Sequence, residues 1–261
     1  MPKLVPVNKS SFTKLAVILL GLLFLIYMLE NFWLASLIGG FIGSYVIRPL
    51  LWLVIVWLVY KKYPLVTGEA KLRLRPFLIQ ITIICGIVWI LANVAGGLID
   101  GFGKSPYSLS IKGIIINVIL LTCSISGLEL SRAWLLNSVF KKNKIIGISV
   151  VGLLMSFFWF QFSKLTGLNE GITIVKFLGT TLFPALSENV FLCYLAILGG
   201  PLPAIIFRGI ISAFHWFFPI LPNMEWITLT LIGTFIPILC LILVQQGYLS
   251  EARKNKKVRD E

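Results

Sequence analysis

Charge is what this sequence has least of. Asp, Glu, Lys and Arg make up 13% of its 261 residues, where a soluble domain carries about a quarter. That shortage excludes a soluble enzyme, a disordered chain and a coiled coil. Acidic residues are the scarcer sign, 10 against 23 basic, for a formal net charge of +13. Histidine occurs once, at His215. No HExxH is present, and a lone imidazole beside carboxylates and apolar cysteines makes a poor zinc ligand set, so neither metal nor cofactor is expected. The four cysteines, Cys85, Cys123, Cys193 and Cys240, form no CxxC and sit in apolar stretches. They read as small buried hydrophobes. No Gly-x-x-x-x-Gly-Lys phosphate loop, no repeat of fixed period and no long linker occurs. The first apolar run lacks an A-x-A exit, so it reads as an anchor that stays.

Apolar residues are what the chain has instead, 58% of it, with a mean hydropathy of +0.95. The expected fold is all-α, a polytopic membrane helix bundle. Continuous apolar runs, with no alternation of a β-barrel kind, give about eight transmembrane helices. They fall near 14–35, 38–60, 76–99, 111–136, 145–162, 183–198, 203–218 and 226–244. Arg48-Pro49 interrupts the second. A further apolar stretch at 172–182 is too short to cross a hydrocarbon core of about 30 Å and reads as re-entrant or interfacial. Residues 1–244 form one membrane domain, and 245–261 a charged, cytoplasmic C-terminal tail.

The basic excess sets the orientation. Sixteen Lys and Arg lie at the N-terminus, in the connections around Lys61–Arg75 and Lys141–Lys144, and in the tail. Only Lys104, Lys112, Lys164 and Lys176 lie on the opposite connections. Positive residues stay inside, so both termini are expected in the cytoplasm, with the chain in the plasma membrane and the lipid bilayer as its first partner. Clusters of this kind serve as membrane anchors, so no nucleic acid is expected.

Polar residues inside apolar runs are expensive and therefore informative. Glu129 and Arg132 are three apart, on one helix face, where they form a local ion pair, line a cavity or dock another helix. Glu188-Asn189 and Arg208 flank the turn Gly199-Gly200-Pro201-Leu202-Pro203. At about 1.5 Å per residue Glu188 and Arg208 reach comparable depths in an antiparallel hairpin, which suits an interhelical pair. His215 is followed by Trp216, Phe217 and Phe218, an aromatic interface belt. Asn93, Asn117 and Gln161 read as interhelical hydrogen-bond glue. Gly39-Gly40 and Gly96-Gly97 read as close packing or turns. The candidate binding residues are thus Glu129, Arg132, Glu188, Asn189, Arg208 and His215, with no catalytic residue assigned.

Two families share features with these segments. Gly127-Leu-Glu-Leu-Ser-Arg132 is similar to the first mark of the CAAX-protease-like proteins, E-E-x-x-x-R, whose other marks are F-x-x-x-H and H-x-x-x-N. Here one glutamate stands instead of two, Ile211 precedes His215 by four, and Pro219 follows it by four. A broader likeness covers about 127–261. Residues 195–209 (LAILGGPLPAIIFRG), then Ala213-Phe-His-Trp216 and 219–227 (PILPNMEWI), resemble a block of archaeal/ER-type signal peptidases I, which carry an unusual multi-spanning N-terminal region. Gly127–Trp134 and the basic tail 248–261 look similar too. In that family a glutamate more usually occupies the place of His215. The Ser-Met-x-Pro element that carries its nucleophile is not in this sequence; Met155-Ser156 has the reverse order.

The resemblance implies a membrane-embedded region that anchors or presents substrate and itself lacks the catalytic serine. A separate peptidase domain or a membrane-borne preprotein would be its partner. A cytoplasmic C-terminus calls for one further span to place such a domain outside. The alternative is a small transporter or permease component, with Arg48-Pro49 and 172–182 as its broken helices.

Overall fold

A long apolar run in lipid has no water to satisfy its backbone, so it closes into helix. The computed structural model of the chain describes residues 9–33, 42–62, 68–158 and 170–260. Among them are eight helices. Helix α1 covers 9–33, α2 43–62, α3 Leu72–Asp100, α4 Ile111–Val139, α5 Lys144–Phe157, α6 Gly171–Gly199, α7 Pro201–Phe217 and α8 Trp226–Asp260. Six of them, all but α5 and α7, are long and apolar enough to cross a membrane. The chain is therefore an all-α helical bundle, and these six helices suit it to a membrane. Gly39-Gly40, Gln161, Lys164 and the junction of the first two expected spans lie outside the described residues.

The stretch 172–182 is not a separate re-entrant piece. It is the first part of α6, a continuous helix of 29 residues. The expected boundary falls just before Pro184, a residue that ordinarily interrupts a helix. The chain absorbs the proline with one wide turn, Leu178–Leu182. Proline crowds the carbonyl four residues back and offers it no N–H; an i→i+5 turn takes up that mismatch without ending the helix. The same device precedes Pro49, where the wide turn Gly43–Ile47 runs straight into the helix Arg48–Lys62. Both points where a broken helix was expected are wide turns in unbroken helices. Residues 245–260 continue α8 as helix.

The connections sort to two ends. At one end the backbone N–H groups of Glu69 and Ala70 donate to the carbonyls of Ile197 and Leu198 at the end of α6, and Lys144 meets Glu69. This end collects the basic connections. Here Gly200, at φ +74°, makes the reversal from α6 to α7, a backbone state that suits glycine. At the other end two short strands, β1 (Phe102–Lys104) and β2 (Ile220–Pro222), pair antiparallel. They tie the α3–α4 connection to the α7–α8 connection.

Two apolar cores meet along α6. One joins α1, α2, α4 and α5 around Leu23, Trp52, Trp134 and Met155; the other joins α3, α7 and α8 around Leu78, Phe191, Phe207 and Phe214. Gly127 lets α4 close on α2, since a Cβ there would come within 2.6 Å of the Trp52 ring. Residues Asn189, Phe191–Cys193 and Leu195–Leu198 of α6 are all buried. A helix packed on all sides must satisfy its polar side chains internally, and α6 carries Glu188 and Asn189 into the place where the cores join.

Candidate functional site

At that join, α4, α5, α6 and α7 bring together one polar cluster. Arg132 and Glu129, one turn apart on α4, form the ion pair their spacing suggested, with Nε to Oε2 at 2.8 Å. Both side chains are 0% exposed. Arg132 also donates across to α6. Its Nη2 bonds the Asn189 Oδ1 at 2.7 Å, and its Nη1 bonds the Asn189 carbonyl at 3.1 Å and reaches the Cys193 sulfur at 3.3 Å.

Arg208 enters from α7. Its Nε lies 3.4 Å from Glu129 Oε1, and its Nη2 lies 3.2 Å from Glu188 Oε1 and 3.3 Å from Asn189 Oδ1. The hairpin pair of Glu188 and Arg208 is therefore present, and it is joined to the α4 pair through Glu129. Asn189 is the junction. Its carbonyl oxygen faces two guanidinium groups, and its amide nitrogen donates to Ala185 O at 2.8 Å and Ser156 Oγ at 3.2 Å. That split fixes the amide orientation, because only oxygen can accept from arginine. Ser156 of α5 donates back to its own helix at Gly152 O, 2.8 Å away.

Two glutamates and two arginines cancel in formal charge. Low local dielectric strengthens each contact, and it makes any unpaired member costly. Of the four, only Glu188 reaches the surface appreciably, at 19% side-chain exposure. Both carboxylates are held by guanidinium groups, and the Ser156 hydroxyl is bonded to its own helix. The cluster's contacts tie four helices together. Asn137 adds a further link, donating to Ala196 O of α6 at 2.9 Å. Among the described residues, no group of three or more His, Cys, Asp or Glu could hold a metal ion.

Five of the six candidate residues thus meet in one place, and His215 does not. It lies two turns beyond Arg208 on α7. Its Nδ1 is 3.1 Å from the Ile211 carbonyl of its own helix, and its ring packs edge-on against Trp89 at 5.2 Å. Tyr107 stacks on Trp216 at 4.1 Å beside it, an aromatic group at the β1–β2 end. Asn93, expected to bridge helices, instead donates to Trp89 O four residues back on α3. Ser156 and Cys193 belong to the cluster but read in sequence as ordinary small residues of apolar helices.

A second pair was not foreseen. Arg48 of α2 donates from Nε and Nη2 to the two carboxylate oxygens of Glu30 on α1, at 2.7 and 3.0 Å, and Trp52 Nε1 donates to the same carboxylate at 2.9 Å.

Fold and cluster together define an all-α bundle, with six helices long and apolar enough to cross a membrane, organised around a buried, charge-balanced polar junction. Compared with protein-family models, with curated proteins and with solved structures, the chain matches none.

Proposed function

We propose that the chain is the membrane-embedded region of a signal-peptidase-like protein, anchoring or presenting a membrane-borne preprotein to a separate catalytic domain. One observation carries the reading: the charged cluster is closed on itself, which suits a scaffold and not a hydrolytic centre. Two of the segments that resemble signal peptidases I, 127–134 and 195–209, supply Glu129, Arg132 and Arg208 to it. The chain lies in the plasma membrane with both termini in the cytoplasm, since the basic connections gather at one end of the bundle.

The test reconstitutes the chain in liposomes with a preprotein carrying a photoreactive group in its apolar signal segment. The expected result is crosslinking to the chain without cleavage. Crosslinking no stronger than to an unrelated polytopic protein removes the presenting role. Cleavage by the chain alone removes the scaffold reading, and its loss in His215→Ala would then make His215 catalytic. The orientation has its own check. Cysteines introduced at Ser105 or Asn223 should react with an impermeant label from outside the cell, and one at Lys142 only after permeabilisation.

The alternative reading, a small transporter or permease component, would have its breaks at the wide turns before Pro49 and Pro184. Their helices stay unbroken, which leaves no unwound backbone to coordinate a substrate.

A further inference from the structure

At the basic end of the bundle two helices begin side by side. Helix α3 opens with the turn Leu72–Leu74 and then Arg75-Pro76, and α7 opens with Pro201-Leu202-Pro203. A helix start leaves N–H groups unpaired and carries roughly half a positive charge. An acidic residue in the first turn ordinarily offsets it, and neither helix has one. Here the neighbouring side chains add to the charge: Lys71, Arg73 and Arg75 stand in the approach to α3.

Between the two starts lies a cavity of about 230 Å³, several times the ~30 Å³ share of one water. Arg75, Leu78 and Ile79 line it from α3, with Gly199, Leu202 and Pro203 opposite. Arg75 Nε is shut off from the surface and meets no hydrogen-bond acceptor. No described carboxylate pairs with Arg75. Glu69, the acidic residue closest to it along the chain, is taken by Lys144. The buried arginines 132 and 208 both have carboxylate partners; Arg75, in a cavity, has none. Arg75 is part-buried at the cavity wall, where no described carboxylate offsets its charge and an oxyanion would.

We infer that this cavity binds the phosphate of an anionic phospholipid headgroup, with Arg75 as its main cation. The two Nη groups of the planar guanidinium make a fork that matches two phosphate oxygens. The first turn of α7 contributes a partial positive charge and the Leu202 N–H, since Pro201 and Pro203 have none to give. Leu78, Ile79 and Leu202 form an apolar wall for the glycerol and the first acyl carbons. Helix ends lie at headgroup depth, and basic pockets there select anionic lipids over zwitterionic ones. This inference stands apart from the peptidase reading, because it needs only that the helices lie in a membrane.

The test is binding to the full chain in neutral detergent, read by native mass spectrometry and by thermal shift. The probes are dioctanoyl phosphatidylglycerol, dioctanoyl phosphatidylcholine and inorganic phosphate. Phosphatidylglycerol should bind in preference to the other two. Arg75→Gln should weaken it about tenfold or more, Arg75→Lys less, and Arg73→Gln less than about threefold. Should Arg75→Gln fail to fold, Arg75→Lys against Arg73→Gln decides the matter. Equal binding of the two lipids overturns the proposal, as does equal weakening by Arg73→Gln and Arg75→Gln, which would mean a diffuse basic surface. Arg75-dependent binding of inorganic phosphate as tight as that of the lipid overturns the lipid assignment and gives the site to a soluble phosphate.

Discussion

The α1–α2 unit and the α4–α6–α7 junction each carry a glutamate bonded to an arginine, and they set it differently. In the first, Arg48 is 41% exposed and Glu30 17%, and the partners are two side chains from neighbouring helices plus one indole. In the second, Glu129 and Arg132 are wholly buried and belong to a cluster fed by four helices. The chemistry is the same; the surroundings decide how much each pair matters. An exposed pair can trade its partner for solvent or lipid headgroups when broken. A buried pair has nothing to trade, so breaking it strands a charge.

The largest effect should come from Glu129. Glu129→Gln leaves Arg132 and Arg208 without the carboxylate they share, and should cost about 3–5 kcal/mol in unfolding of the detergent-solubilised chain. A loss below about 1 kcal/mol would mean that the junction is no more sealed than the α1–α2 pair. Next in size, Gly127→Ala drives a methyl into Trp52, where the two regions touch, and should cost about 1–3 kcal/mol by overpacking. If it is neutral, the regions are not in contact at that point.

The Glu188–Arg208 pair sharpens the comparison from within the junction. A double-mutant cycle with alanine at both positions should return a coupling of about 0.5–3 kcal/mol. Arg208→Ala should be the more damaging single change, since Arg208 also serves Glu129 and Asn189. Additive losses would remove the pair. The smallest effect belongs to the open site: Glu30→Ala should cost about 1 kcal/mol or less and should shrink further in high salt. A loss matching that of Glu129→Gln would erase the distinction between the two regions.

How much of this was legible in sequence follows from distance along the chain. Glu129 and Arg132 are bound to one face by helical geometry, so their pair could be read directly. Glu188 and Arg208 could be matched because the Gly199-Gly200-Pro201 turn fixes the register of a hairpin. That both pairs meet could not be read, because it depends on α4 packing against α6 and α7, and no local rule sets that contact. Ser156 and Cys193 carry no mark distinguishing them from other small helix residues. Glu30 and Arg48 lie on successive spans whose junction gave no turn signal as firm as the Gly-Gly-Pro one. The helix through Pro184 reads in sequence as two pieces because 172–182 is too short to cross when counted by itself, whereas the folded chain carries the proline on a wide turn and continues.

The β1–β2 pairing makes a closed circuit. Phe102 faces Pro222 and Lys104 faces Ile220, so the backbone path from β1 through α4, α5, α6 and α7 returns to where it began. During synthesis β1 emerges long before β2 and must wait, unpaired, until α7 has taken its place. The strand pair can therefore form only after the polar junction has all its helices. Amide exchange at Gly103 and Leu221 becomes a clock for the last step of assembly, slowing when the circuit shuts.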